Sequence, residues 1–170
     1  MRTARVHLNK PLISLTNGKK LGKVKDAYFD GELGKIVAVL VSKRGIINRK
    51  IWVIGRNAIQ VMGIDAWLVS GSEGVHLLEE LPESDSFLLL SELLGREVHT
   101  EGGHRVGTLG DVILDENANV TGFTFDQVFV QGPLAERRRI ARAAITNLGD
   151  ESSPMTTVLE QAETLDVPEM

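Results

Sequence analysis

GKKLGKVKDAYFD, residues 18–30, is the stretch that decides the fold, because residues 103–115 repeat its outline as GHRVGTLGDVILD. The aliphatic run IVAVLV at 36–41 falls on VTGFTF at 120–125 after a slip of one residue. Self-similarity at a fixed offset indicates a duplicated structural unit. We therefore predict two copies of one small domain in tandem. The positions that match are Gly18, Gly22, Asp26 and Asp30 in the first copy, and Gly103, Gly107, Asp111 and Asp115 in the second.

The spacing of the apolar residues predicts bulged β-strands. A regular strand points every second residue inward, but Val24, Ala27 and Phe29 are three and then two positions apart. One extra residue near position 25, a β-bulge, restores the alternation, and the second copy has the same break at Gly110. Bulges let a short sheet curl into a closed barrel. We expect an all-β protein made of two small tandem barrels.

Both copies resemble the PRC-barrel family, which is named for the cytoplasmic domain of the photosynthetic reaction-centre H subunit. The resemblance also extends to the C-terminal domain of a ribosome-maturation factor. Residues 93–98, LLGREV, fit the usual opening of the family, whereas the first copy departs from it with PLI at 11–13. The motif is a glycine, a hydrophobe and two aspartates four residues apart: Gly22, Val24, Asp26 and Asp30, then Gly107, Leu109, Asp111 and Asp115.

The resemblance covers residues 8–70 and 90–159 and implies an adaptor fold without shared catalytic residues. We therefore expect a non-enzymatic adaptor or assembly module that binds a protein partner, in a photosynthetic or membrane complex if it follows the family's namesake. The alternative is an RNA- or ribosome-associated factor. No catalytic residue, cofactor or metal site is expected.

Turn residues and composition shifts predict the domain boundaries. Residues 1–72 form the first, basic domain, and 91–160 the second, acidic one. Glycine, proline and serine residues mark 73–90 as a linker. Within and just beyond it, serine and aspartate before FLLLSELL, and a glycine after it, predict a short helix at 86–94. Residues 161–170 are expected to be a flexible acidic tail.

The composition is that of a globular protein, with 42% hydrophobic and 25% charged residues among 170. No cysteine is present, which fits a reducing compartment, and we expect a cytoplasmic protein. No apolar signal core follows the first five residues. The most apolar run, 87–94, is too short to span a bilayer, so we expect no transmembrane segment.

Charge is unevenly distributed along the chain. Lys and Arg outnumber Asp and Glu by 13 to 5 in residues 1–75, and the acids outnumber the bases by 18 to 6 in residues 76–170. One interpretation is an acidic partner for the basic half. The other is mutual attraction of the two halves within or between chains, which predicts self-association.

Three groups of residues are candidates for partner binding. Lysines of the first hairpin, Lys19, Lys20, Lys23 and Lys25, form either a basic stripe for phosphates or a solvated strand edge. Arg137, Arg138, Arg139 and Arg142 either grip a carboxylate or phosphate, or pair with acids of their own barrel. Ile46 and Ile47 place an aliphatic tip on a loop, which is typical of an interface.

The remaining motifs are weaker candidates for a functional site. His99 and His104, near Glu97 and Glu101, match no metal-ligand spacing. The segment DENAN at 115–119 resembles the start of a calcium loop but lacks the glycine and glutamate that such a loop needs, so it is interpreted as a turn. Trp67 is expected in the barrel core.

Overall fold

The computed structural model describes residues 2–44 and 49–168, and it is mainly β in those ranges. The described chain divides into two compact units. The N-terminal unit comprises Val6–Gly31 and Lys35–Leu89, and the C-terminal unit comprises Met1–Arg5, Glu32–Gly34 and Leu90–Met170. The predicted fold class, a mainly β protein with two tandem units, is confirmed.

The N-terminal unit contains the strands β2 (Pro11–Ser14), β3 (Lys20–Lys23), β4 (Asp26–Phe29), β5 (Ile36–Arg44), β6 (Lys50–Gly55), β7 (Ile59–Met62), β8 (Trp67–Val69), β9 (Val75–Leu77) and β10 (Leu88–Leu89). They form two sheets, with strand orders β10-β4-β5-β6-β9 and β3-β2-β8-β7. All neighbours are antiparallel except β2 and β8, which run parallel. Short 3-10 turns lie at Arg56–Ala58, Ser72–Gly74, Leu78–Glu80 and Ser84–Ser86.

The C-terminal unit contains the strands β1 (Arg2–Thr3), β11 (Glu97–Thr100), β12 (Arg105–Leu114), β13 (Val120–Val128), β14 (Arg139–Ala141), β15 (Ile145–Asn147) and β16 (Met155–Thr157). They form one sheet, with strand order β14-β13-β12-β11-β16-β15 and β1 paired to β12. The helices are α1 (Leu90–Leu93), α2 (Pro133–Arg137) and α3 (Leu159–Thr164), and a 3-10 turn lies at Arg142–Ala144. A further 3-10 turn, Ala4–His7, begins in this unit and ends in the N-terminal unit.

The predicted bulge is present in the second copy and is a full break in the first. In β12 the pairing register shifts between Leu109 and Asp111, at the position of Gly110. In the first copy the equivalent residues, Val24 and Lys25, separate β3 from β4. The first copy therefore has two short strands where the second copy has one long, bulged strand, which explains why its sheet is divided in two.

The two main hairpins close in the same way. The Asp30 carboxylate accepts a hydrogen bond from the Lys35 N–H at 3.1 Å. The Asp115 carboxylate accepts one from the Asn119 N–H at 2.8 Å. The first turn spans one residue more than the second, and this accounts for the one-residue slip in the sequence repeat.

Both cores are filled by the residues that the repeat pairs. Inward positions that are essentially inaccessible to solvent in the N-terminal unit are Leu12, Phe29, Val39, Ile54, Trp67 and Val69. Their counterparts in the C-terminal unit include Val98, Leu114, Phe123, Ile140 and Met155. Trp67 is buried as predicted, and its indole Nε1–H donates a hydrogen bond to His7 Nδ1 at 3.1 Å.

Residues 73–89 are part of the N-terminal unit rather than a linker. Strand β9 pairs with β6, and β10 pairs with β4. Phe87 and Leu89 pack on a cluster that contains Tyr28 and Leu40. The helix expected at 86–94 is reduced to Leu90–Leu93, because the residues before it extend to cover this apolar face of the sheet.

The described end of the chain, up to residue 168, also differs from the flexible tail expected at 161–170. Helix α3 includes Thr164, and Val167 is 3% exposed. A Cβ added to Gly122 would lie 2.7 Å from Val167 Cγ2, so the absence of a side chain at Gly122 makes room for Val167. The acidic residues of this segment predicted a solvated tail. Ala162 and Val167, however, are apolar and buried.

Candidate functional site

The four lysines of the first hairpin lie at or near the outer edge of one sheet. Lys20 and Lys23 belong to β3, with Lys19 before it and Lys25 after it, and all four are exposed. None of them forms an ion pair with a carboxylate of the described residues. They are therefore available to an anionic group from outside the chain.

The arginine cluster has a structural role within the C-terminal unit. The Arg137 guanidinium donates to the carbonyl oxygens of Ala162 and Glu163 at 2.8 and 3.1 Å, and lies 3.6 Å from the Asp166 carboxylate. Arg139 contacts the same carboxylate at 3.2 Å. This geometry favours the second interpretation, in which these arginines hold α3 and the residues after it.

Arg138 and Arg142 also donate to carbonyl oxygens. Arg138 contacts Asp126 O. Arg142 reaches Glu32 O at 2.8 Å and Leu33 O at 3.2 Å, both inside the C-terminal unit. These guanidinium groups are engaged with backbone, which makes them weaker candidates for binding a partner than the lysines.

Ile46 and Ile47 lie outside the described residues, so their interface prediction stays a prediction. On the described side of that loop, an open groove of about 520 Å³ borders β6 and the residues around β9. Its lining mixes both charges with aliphatic groups: Arg49, Lys50, Ile51, Leu77, Leu78, Glu79, Ser84 and Asp85.

Glu97 contacts both His99 and Arg105 in the second copy. Glu97 Oε2 lies 3.0 Å from His99 Nε2, and Glu97 Oε1 lies 2.7 Å from Arg105 Nη2. The hydrogen bond with His99, followed by contact with Arg105, holds the pKa of Glu97 below its ordinary value. Within residues 2–44 and 49–168, no group of three or more potential ligand side chains is placed to hold a metal ion.

A row of side chains crosses the sheet β3-β2-β8-β7 on its outer side. Lys20 is paired with Ile13, Ile13 with Leu68, and Leu68 with Val61. The residues on either side of the two middle members, Ile13 and Leu68, are buried: Leu12, Ser14, Trp67 and Val69. Val61 is 48% exposed, and Ile13 and Leu68 are partly exposed. We call these four residues the N-terminal outer row.

The C-terminal unit has the same row at equivalent positions. Arg105 is paired with His99, His99 with Thr156, and Thr156 with Asn147. Both rows share the same pattern of exposure, with the two middle residues partly exposed and the two end residues exposed. We call this set the C-terminal outer row.

The two rows differ in chemistry although they share their geometry. Ile13, Leu68 and Val61 are aliphatic, whereas His99, Thr156 and Asn147 are polar. The contrast continues around the rows. Leu15 and Ile64 are 54% and 68% exposed, and the repeat aligns them with Glu101 and Asp150. Most of the buried positions are apolar in both copies, so the fold itself does not require aliphatic side chains on this face.

The basic ends of the rows also differ. Arg105 forms an ion pair with Glu97 at 2.7 Å, and Glu97 lies on the adjacent strand β11, in register with Thr108 of β12. The repeat aligns Glu97 with Pro11, which has no charge. Lys20 therefore ends an aliphatic row without the intramolecular carboxylate that its counterpart has.

Sequence reasoning identified the lysines but not the aliphatic row. The repeat could have identified this row. When the outward positions of the two copies are compared, instead of the inward ones, those of the first copy are aliphatic and those of the second are polar. Ile13, Val61 and Leu68 are 48 and 7 positions apart in the chain, and only the strand pairing brings them together.

Comparison with known protein families agrees with the repeat. The family model described as PRC-barrel domain matches residues 8–66 and 85–132, one match in each copy. No curated protein matches the chain at a significant level. Among the described residues, no helix has the length and apolar character needed to cross a membrane.

Proposed function

Since the chain belongs to the PRC-barrel domain family, we propose that it is a non-enzymatic, protein-binding adaptor module and that the N-terminal outer row is its contact surface. The supporting observation is the difference between two copies of one fold. At equivalent positions with the same pattern of exposure, the second copy has side chains suited to water and the first has Ile13, Leu68 and Val61. Fully burying an aliphatic side chain of this size contributes about 1.5–3 kcal/mol.

RNA binding is the second candidate, and the exposed lysines of the first hairpin support it. Basic side chains provide most of the sequence-independent affinity for phosphate. Single-stranded RNA sites also use aromatic side chains on which bases stack. The row beside Lys20 is aliphatic throughout, so the surface fits a protein better than a nucleic acid.

The proposal is tested by transplanting the second copy's side chains onto the first. The outer-row variant carries Ile13→His, Val61→Asn and Leu68→Thr in the full chain. A display library of protein fragments from the native cell, which includes subunits of membrane complexes, is selected in parallel on the wild-type chain and on this variant. We expect a small set of sequenced fragments to be enriched on the wild type by at least about tenfold over the variant.

The matched control is a C-terminal variant with Thr156→Ser, which changes the equivalent row without making it apolar. It should enrich the same fragments as the wild type. Equal enrichment on the wild type and the outer-row variant, or no enriched fragment at all, would refute this surface. Retention of RNA that falls steeply between about 50 and 300 mM salt would favour the second candidate.

A further inference from the structure

We infer that the partner segment at the N-terminal outer row is an acidic amphipathic helix, with aliphatic side chains over Ile13, Leu68 and Val61 and a carboxylate that pairs with Lys20. This inference rests on the proposed function and specifies the partner's chemistry. It follows from charge complementarity and from the dimensions of the row.

In the second copy, the basic residue at the end of the row is paired with a carboxylate. Arg105 lies 2.7 Å from the Glu97 carboxylate, which also contacts His99. In the first copy Lys20 has no ion-pair partner among the described residues, and Pro11 replaces Glu97. A carboxylate from the partner can therefore occupy the role that Glu97 has within the C-terminal unit.

The position of the other lysines extends this charge along one edge. Lys19 and Lys23 flank Lys20 on the same hairpin, and both are exposed. The opposite end of the row, at Val61, has an exposed glutamine next to it, Gln60. The surface is thus aliphatic in its centre and basic at the β3 end, and it complements a segment that is aliphatic in its centre and acidic at one end.

The spacing of the row matches that of a helix. Neighbouring strands lie about 4.8 Å apart, so the row from Lys20 to Val61 spans about 14 Å. A helix lying across the strands places side chains on one face at intervals of about 5.4 Å. Aliphatic residues at i, i+3 or i+4 and i+7 then meet Val61, Leu68 and Ile13 in turn, and an acidic residue one turn further meets Lys20.

The experiment uses a displayed library of helix-forming peptides of about 18 residues with one randomised face. It is selected on the full wild-type chain and counter-selected on the outer-row variant. Enriched peptides are then measured by fluorescence anisotropy against the wild type and against Lys20→Gln. We expect aliphatic residues at helical spacing, with Asp or Glu about one turn beyond the last, and affinity weaker by about 1.4-fold to fivefold for Lys20→Gln.

Lys35→Gln is the matched control, because Lys35 is an exposed lysine of the same unit that lies outside this sheet; its affinity should equal that of the wild type. Aliphatic peptides without an acidic excess, insensitive to Lys20→Gln, would overturn this inference and leave the proposed function standing. Peptides that bind the outer-row variant equally well, or an unenriched library, would overturn both. Binding to vesicles containing phosphatidylserine that is lost in Lys20→Gln, with no peptide enriched, would assign the surface to lipid instead.

Discussion

Gly107 is a position of the repeat that is tightly constrained by space. A Cβ added there would lie 2.5 Å from Gln127 O and 2.7 Å from Phe125 Cδ1, and one of these contacts is with backbone. A Cβ added to its counterpart Gly22 would lie 2.8 Å from Val41 Cγ1. The matched glycines of the sequence motif thus mark close approach of two strands.

We predict that Gly107→Ala lowers the free energy of unfolding by about 1–3 kcal/mol, because the strand pair must separate to admit a methyl group. Urea denaturation of the full chain measures this. Gly102→Ala is the control, since its added Cβ would have no neighbour closer than 3.8 Å. Equal stability of the two variants would contradict the steric explanation.

A second prediction at this scale concerns the buried pair His7 and Trp67. The indole Nε1–H donates to His7 Nδ1 at 3.1 Å, and His7 is 4% exposed. We expect His7→Leu to destabilise the chain by about 1–3 kcal/mol, because a buried N–H loses its acceptor. Combining it with Trp67→Phe should cost less than the sum of the two single changes, and additive costs in denaturation experiments would count against the hydrogen bond.

At the scale of elements, the segment formed by α3 and residues 165–168 is held by charge and by Val167. The hydrogen bond from the backbone N–H of Val167 is the main cause that holds the pKa of Asp166 below its ordinary value of 3.8. Burial opposes it, and the charges of Arg139 and Arg137 lower the pKa further. The ionised form is therefore favoured in the folded state. Its stabilising contribution is present above pH 3.8 and is lost as the pH falls below that value through the folded-state pKa.

We predict that Asp166→Asn lowers the Tm at neutral pH and that the difference from the wild type shrinks as the pH falls below 3.8. Thermal unfolding followed by circular dichroism across this range measures it. Glu160→Gln, an exposed acid of α3 without an ion pair in the described chain, should show no such dependence. A difference for Asp166→Asn that stays constant with pH would argue against the charge interaction.

The repeat also explains which elements could be predicted. Inward residues such as Trp67 and Phe123 recur at matching positions, so the strands, their faces and the bulge at Gly110 followed from the sequence. The strands β9 and β10 did not, because their pairing depends on an apolar face around Tyr28 that only the assembled sheet creates. The sequence did not predict the N-terminal outer row either, because its members come from separate strands that only the sheet pairing brings together.

At the scale of the whole molecule, the two structural units differ less in charge than the two halves of the sequence do. Because residues 79–85 belong to the N-terminal unit, bases outnumber acids there by only 11 to 8, while acids outnumber bases by 15 to 8 in the C-terminal unit. We still predict weak self-association at low ionic strength that disappears at high salt, since opposite charges attract within a Debye length. Static light scattering over a concentration series measures it, and a monomer at both salt concentrations would contradict the prediction.

The central claim is that one copy of a duplicated fold keeps an outward surface for a partner protein and the other does not. Its most direct test is a titration of the wild-type chain with an enriched helical peptide, followed by backbone amide shifts in NMR spectra. We predict shifts concentrated at Ile13, Lys20, Val61 and Leu68, with His99, Asn147 and Thr156 unchanged. Shifts of equal size in both rows, or shifts confined to residues outside the N-terminal outer row, would contradict it.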